Sequence, residues 1–127
     1  MKPFFLLIIP LFLMSTQCDD DMVTSQEEDQ KELTELRNKI ETLVSSSVCN
    51  ENTTCKYIAF GSKACGGPKS YLVYASSIDI EALEALVKTY NQMEDNYNSK
   101  WGIISDCMLV TPPKSVACEN NTCIAVY

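Results

Sequence analysis

The sequence contains no histidine. That removes the commonest metal ligand and the side chain most often used as a general base near neutral pH. Ser–His–Asp and Cys–His catalytic arrangements are therefore excluded. Basic residues are scarce: ten Lys and Arg stand against seventeen Asp and Glu, a formal charge of −7 over 127 residues. With no basic face, a phosphate backbone is repelled, which argues against nucleic-acid binding. Glycine occupies only four positions. Two of them, Gly66 and Gly67, fall in Cys65-Gly66-Gly67-Pro68, which lacks the Gly-Lys-Ser/Thr ending of a phosphate-binding loop.

Cysteine, by contrast, is plentiful, at seven residues in a short chain. Such a count means disulfides or a metal cluster, and the compartment decides which. Lys2 followed by the apolar run of residues 4–14 (FFLLIIPLFLM) reads as a signal peptide. The run is too short for a bilayer span of ~30 Å, and Pro10 interrupts it. Export implies an oxidising compartment, so disulfides are expected. The cysteine spacings also lack the paired C-x2-C pattern of structural zinc, and no metal or cofactor is expected.

Acidity is concentrated near the N-terminus. Residues 19–48 carry Asp19, Asp20, Asp21, Glu27, Glu28, Asp29, Glu32, Glu35 and Glu41 against Lys31, Arg37 and Lys39. From residue 49 onward charge is nearly balanced. Residues 18–29 read as a disordered acidic tether. From about residue 27 to residue 45 a helical stripe emerges in Leu33, Leu36, Ile40, Leu43 and Val44. The repeat is shorter than three or four heptads, so packing onto the following domain is favoured over a dimeric coiled coil.

Residues 49–127 read as one small α+β domain. The segments 48–60 (VCNENTTCKYIAF) and 117–127 (ACENNTCIAVY) echo each other: a cysteine, an Asn-rich turn, a cysteine, then a β-prone run. Residues 70–75 alternate as a strand does. Ser77 or Asp79 caps a helix over residues 80–98, with Leu83, Leu86, Val87, Tyr90, Met93 and Tyr97 inward and Glu81, Glu84, Lys88, Gln92 and Glu94 outward. A further strand is expected at residues 102–110. The expected fold is thus four or five mostly antiparallel strands packed by one main helix, preceded by an N-terminal helix. A core of this size is marginal and is completed by disulfides. The two short polar loops favour the pairing Cys49–Cys55, Cys65–Cys107 and Cys118–Cys123. Bridges between the echo units, from Cys49 or Cys55 to Cys118 or Cys123, are the alternative.

Residues 60–74 (FGSKACGGPKSYLVY) are the most distinctive stretch. Gly66, Gly67 and Pro68 exclude regular structure there. Lys63, Gly66, Gly67, Pro68, Lys69, Tyr71 and Tyr74 form a candidate interaction loop, with one tyrosine on each face of the strand that follows. Two functions fit. One is a non-enzymatic binding or structural module that uses this loop against a protein partner. The other is an inhibitor of a secreted hydrolase that presents Lys63 from the Lys63–Cys65–Pro68 loop. A Ser62-Lys63 dyad is weighed and set aside as solvated filler.

Two resemblances accompany these readings. Ser15-Thr16-Gln17-Cys18 followed by Asp19-Asp20-Asp21 resembles the lipobox of bacterial lipoproteins, and the acidic run resembles that of surface-exported members from the Bacteroidetes. The resemblance implies a signal peptide at 1–17 and lipidation of Cys18, hence a membrane anchor at an outer membrane or cell surface. Gln17 departs from the usual small residue before the cysteine. Parity agrees with lipidation, because removing Cys18 leaves Cys49, Cys55, Cys65, Cys107, Cys118 and Cys123, an even set. From residue 49 to residue 127, CGGP-x-x-Y, Ser105-Asp106-Cys107, Pro112-Pro113 and the closing Cys118…Cys123 resemble a family of small, exported, cysteine-rich bacterial proteins. That family implies structural cysteines and carries no activity over.

Overall fold

The computed structural model describes residues 20–127. The expected signal peptide at 1–17 and the lipidation site Cys18 lie outside the described residues. Six elements follow in order: α1 (Asp20–Ser45), β1 (Cys55–Phe60), β2 (Ser70–Ala75), α2 (Ile80–Lys100), β3 (Ser115–Glu119) and β4 (Thr122–Val126). The fold is α+β and is stapled by three disulfides, as the sequence implies.

Three layers stack. α1 and α2 pack together on one face of the antiparallel β1–β2 hairpin, and the β3–β4 hairpin lies against the other face. The first interface is the core: Leu33 and Ile40 from α1, Phe60 and Tyr74 from the hairpin, and Leu83, Val87 and Tyr90 from α2 are all buried. The stripe expected on α1 is the face it buries, with Leu36, Leu43 and Val44 beside those residues. Each fully buried large apolar side chain contributes about 1.5–3 kcal/mol. Alternation places Phe60, Ile58, Leu72 and Tyr74 on the helix side of the hairpin.

α1 begins at Asp20 rather than near residue 27, so residues 20–29 are helical and not a free tether. They are fastened by partners the sequence does not reveal. Gln26 Nε2 donates to the Tyr97 hydroxyl (3.3 Å), and Asp29 accepts from Lys100 Nζ (2.6 Å) and Trp101 Nε1 (2.9 Å). These donors hold the Asp29 carboxyl below its ordinary pKa.

α2 is capped at both ends. The Asp79 side chain accepts from the Ala82 amide (3.0 Å), and Glu81 complements the dipole in the first turn. At the other end Gly102 takes φ +59°, and the Ile103 amide donates back to the Asn98 carbonyl (3.0 Å). This is a Schellman closure, which glycine permits without a Cβ penalty.

The strand expected at 102–110 is absent: those residues form an irregular loop. The Met108 amide is taken by the Asp106 carboxylate (3.0 Å) and the Cys65 bridge holds Cys107, and no residue of this segment pairs with a neighbouring strand. The four strands form two separate two-stranded sheets.

The disulfides also differ from the favoured pairing in two of three bridges. Cys65–Cys107 forms, but the others are Cys49–Cys118 and Cys55–Cys123. The echo units are joined first cysteine to first and second to second. The place of the second hairpin explains this: β3 and β4 pack against β1 and β2, which brings Cys118 and Cys123 to the first echo unit. Asn120 and Asn121 both adopt positive φ, making the two-residue turn that sets Cys118 directly across from Cys123. Each of the two is then bridged to one cysteine of the first echo unit. Loops of 69 and 68 residues also restrict the unfolded chain more than short local loops do, at about 4 kcal/mol each against about 2 for a loop as short as 49–55.

A tryptic digest without reductant distinguishes the two pairings. Peptide 40–56 carries Cys49 and Cys55, and peptide 115–127 carries Cys118 and Cys123. We expect the two to be recovered as one covalent species that separates only on reduction. Recovery of two independent peptides refutes this connectivity.

Candidate functional site: a clamped loop and the cleft behind it

The loop at residues 61–69 leaves β1 at Phe60 and returns to β2 at Ser70. Its own bonds make a tight corner: the Lys63 amide donates to the Gly67 carbonyl (2.9 Å) and the Gly66 amide to the Lys63 carbonyl (2.9 Å). Gly66 and Gly67 lie at φ +99° and +81°, where an L side chain is strained. Both are exposed, and no atom within 4 Å would meet a Cβ there.

Glu94 of α2 anchors the base of this loop. It is 5% exposed although it stands in a helix facing solvent elsewhere. Its Oε2 accepts the Ser62 amide (2.6 Å), and its Oε1 pairs with Lys69 Nζ (2.5 Å). The Tyr90 hydroxyl also donates to Oε1 (3.3 Å). Asn91 and Asn98 complete the attachment: Asn91 Oδ1 accepts the Gly61 amide (2.7 Å), and Asn98 Nδ2 donates to the Ser62 carbonyl (2.8 Å). One helix face thus holds the start of the loop through side chain to backbone bonds and its end through the Lys69 ion pair. Gly61 is required here for space as well as φ (+82°), because a Cβ would fall 2.9 Å from Lys69 Cβ and 3.1 Å from Glu94 Oε2.

The loop's outer end is tied to the second loop, residues 102–114. Cys65 bonds Cys107, and the Cys65 amide donates to Ser105 Oγ (3.1 Å). Lys63 Nζ donates to Asp106 Oδ1 (2.6 Å) and to the Met108 carbonyl (2.6 Å). The Lys63 bond is the main cause of the lowered Asp106 pKa, with help from the Met108 amide. The pair therefore persists to lower pH than an isolated aspartate would allow. It is lost only as pH falls through that depressed value.

Behind the clamp lies a polar cleft of about 440 Å³ between α1 and α2, bordered by Arg37, Lys69, Tyr90, Glu94 and Asn98. Arg37 donates to the Tyr90 hydroxyl through Nε (3.2 Å) and Nη2 (3.0 Å) and lies over the stacked Phe60 and Tyr90 rings, 5.5 and 5.6 Å from their centroids. Burial raises the Tyr90 pKa against the opposing pull of Arg37. The cleft floor is thus a continuous chain, Arg37–Tyr90–Glu94–Lys69.

The seven loop residues divide. Gly66 and Gly67 are at the exposed tip, with Pro68 half-buried beside them. Lys63 is not presented: its side chain is 11% exposed and engaged by Asp106. Lys69 turns inward to Glu94. Tyr74 is a core residue at 3% exposure and offers no contact surface. Tyr71 is half-buried and meets the exposed Tyr57 edge to face, centroids 5.8 Å apart. Cys49, Cys55 and Cys123 bring three sulfurs within 4.8 Å of one another, yet each is bonded in a disulfide and offers no thiolate to a metal. Glu94, expected on the outer face, is the residue most at odds with the sequence reading. Its spacing carried the signal, because Leu83, Val87, Tyr90 and Glu94 are four successive steps of one buried stripe. No family model, no curated protein and no solved structure matches this chain.

Glu94→Ala removes the acceptor for the buried Ser62 amide and the partner of Lys69, and is expected to cost about 2–3 kcal/mol in urea unfolding. Glu94→Gln keeps an acceptor for Ser62 and loses the ion pair to Lys69 and the long bond from the Tyr90 hydroxyl, at about 1 kcal/mol. Equal losses for the two would mean that the ion pair, not the backbone bond, holds the loop. A carboxyl titration by NMR is expected to place Asp106 below ordinary aspartates and to move it upward, towards the usual range, in Lys63→Met, where only the Met108 amide still holds it down.

Proposed function

We propose that this chain is an exported lipoprotein, anchored to an outer membrane or cell surface through Cys18, whose folded part is a non-enzymatic binding module for a protein partner. The observation that carries the binding reading is the clamped loop. A corner exposed at Ala64, Cys65, Gly66 and Gly67 is fixed from beneath by Glu94, Asn91 and Asn98 and from the side by Cys65–Cys107. A surface already held in one shape loses little conformational entropy on binding. The neighbouring Tyr57–Tyr71 pair supplies aromatic area of the kind that dominates protein contacts. Three disulfides are at home in an oxidising compartment, which agrees with export.

The non-enzymatic part rests on the state of the buried carboxylate. Both Glu94 oxygens accept bonds from structural donors, which leaves it a brace rather than a base. An inhibitor presenting Lys63 gains no support, since that side chain is bonded to Asp106 and the Met108 carbonyl.

Cys18→Ser is expected to move the protein from the membrane fraction to the soluble fraction, and continued membrane association of that variant would sink the anchor. For the binding surface, a photo-crosslinking residue at Ala64 is expected to give a discrete protein adduct on intact exporting cells. The same residue at Glu51, on the turn before β1, gives none. Indistinguishable patterns from the two positions refute the assigned surface.

A further inference from the structure

The loop at residues 102–110 leaves three large apolar side chains in solvent: Ile104 at 92% exposure, Leu109 at 84% and Met108 at 76%. They stand on a constrained loop. Cys107 is bonded to Cys65, and the loop's one charged residue, Asp106, is paired with Lys63. The loop therefore displays apolar surface without an uncompensated charge and without needing to be ordered first.

Its place in the fold identifies what covers it. The loop emerges from the C-terminus of α2, and that end is fastened to the first turns of α1 through Tyr97–Gln26 and through Lys100 and Trp101 to Asp29. Asp20, where the chain leading back to Cys18 joins, is nine residues from Asp29, about 14 Å along the helix. The apolar trio and the lipid-bearing terminus thus belong to the same end of the molecule. Trp101, with the Lys100 ammonium 4.9 Å from its ring centroid, precedes the loop. Its indole N–H is held by Asp29, which fixes the ring at the base of the loop.

We propose that residues 102–110 are a second membrane contact, seating Ile104, Met108 and Leu109 at the boundary between headgroups and acyl chains of a zwitterionic bilayer. The lipid is zwitterionic because the exposed Glu27 and Glu28 lie near the same end and repel an anionic surface. This rests on the lipid-anchor reading for where the membrane lies. Two points of attachment fix the orientation of the module, where a single anchor leaves it free to rotate.

Trp101 is the single tryptophan of the chain and reports directly on the contact. The lipidated full chain is reconstituted into phosphatidylcholine vesicles with brominated acyl chains. Trp101 emission is expected to be quenched relative to unbrominated vesicles. The triple variant Ile104→Asp, Met108→Asp, Leu109→Asp is expected to lose that quenching while it stays with the vesicles through Cys18. The substituted positions are exposed, and recovery of peptides 40–56 and 115–127 as one disulfide-linked species confirms that the variant has reached the native pairing. An unquenched Trp101 in vesicle-bound wild-type protein overturns the proposal and assigns the trio to a protein partner; undiminished quenching in the variant also overturns it. Failure of the anchor is read separately, as absence of lipid mass on Cys18. In that event the same unlipidated chain is floated with phosphatidylcholine vesicles. The wild type is expected to float about tenfold more than the variant, and equal flotation refutes the contact.

Discussion

A single buried carboxylate organises the upper half of this molecule. Glu94 reaches from the middle of α2 to the backbone of Ser62 and the ammonium of Lys69, at the two ends of one loop. An unpaired buried charge is costly, so the loop must supply its partners whenever α2 is packed. The helix, the hairpin and the loop are therefore folded together or not at all. Gly61 is bound into the same constraint, because only a residue without Cβ lets the carboxylate and Lys69 approach so closely. Through Tyr90 the chain extends to Arg37, so α1 is also joined to the loop by polar contacts as well as by its apolar stripe.

The lower half is organised by other forces. None of the buried apolar cluster comes from β3 or β4. The second hairpin is attached chiefly by Cys49–Cys118 and Cys55–Cys123, together with the bond from the Cys49 amide to the Asn121 carbonyl (3.0 Å). The molecule has a packed core on one side of β1–β2 and a covalent one on the other. This division is what a short chain does when its apolar content supports a single core layer.

Much of this was legible in the sequence, and the rest was not for identifiable reasons. β2, α2 and the stripe on α1 follow from periodicity alone, because each has one face against the core. The disulfide pairing was missed because loop length favours neighbours, while the packing of the second hairpin on the first, which brings Cys118 to Cys49 and Cys123 to Cys55, is a long-range contact. Residues 102–110 looked like a strand because Ile103, Ile104, Met108, Leu109 and Val110 are β-prone. A strand also needs a neighbour to pair with, and both two-stranded sheets are complete without this segment. In the candidate site, the glycines and Cys65 were visible as unusual residues. The residues that fix them, Glu94, Asn91 and Asn98, are ordinary helix residues in composition and declare themselves only by position. Lys63 and Tyr74 looked like contact residues because a sequence does not show which polar or aromatic groups are already satisfied internally.

The order of the cysteines along the chain has a consequence for maturation. In a protein that crosses a membrane N-terminus first, Cys49 and Cys55 meet the oxidising compartment together, well before their true partners 69 and 68 residues further on. An oxidant acting on cysteines as they emerge joins Cys49 to Cys55, a bridge the finished fold does not contain. Reaching the native pairing then requires a thiolate to attack that bridge and pass it on through a mixed disulfide. The native sulfurs of Cys49, Cys55 and Cys123 gather within 4.8 Å, so the last of these transfers takes place between neighbours. For a chain oxidised in that order, maturation is a problem of proofreading as much as of folding, because the native bridges join cysteines far apart in the sequence.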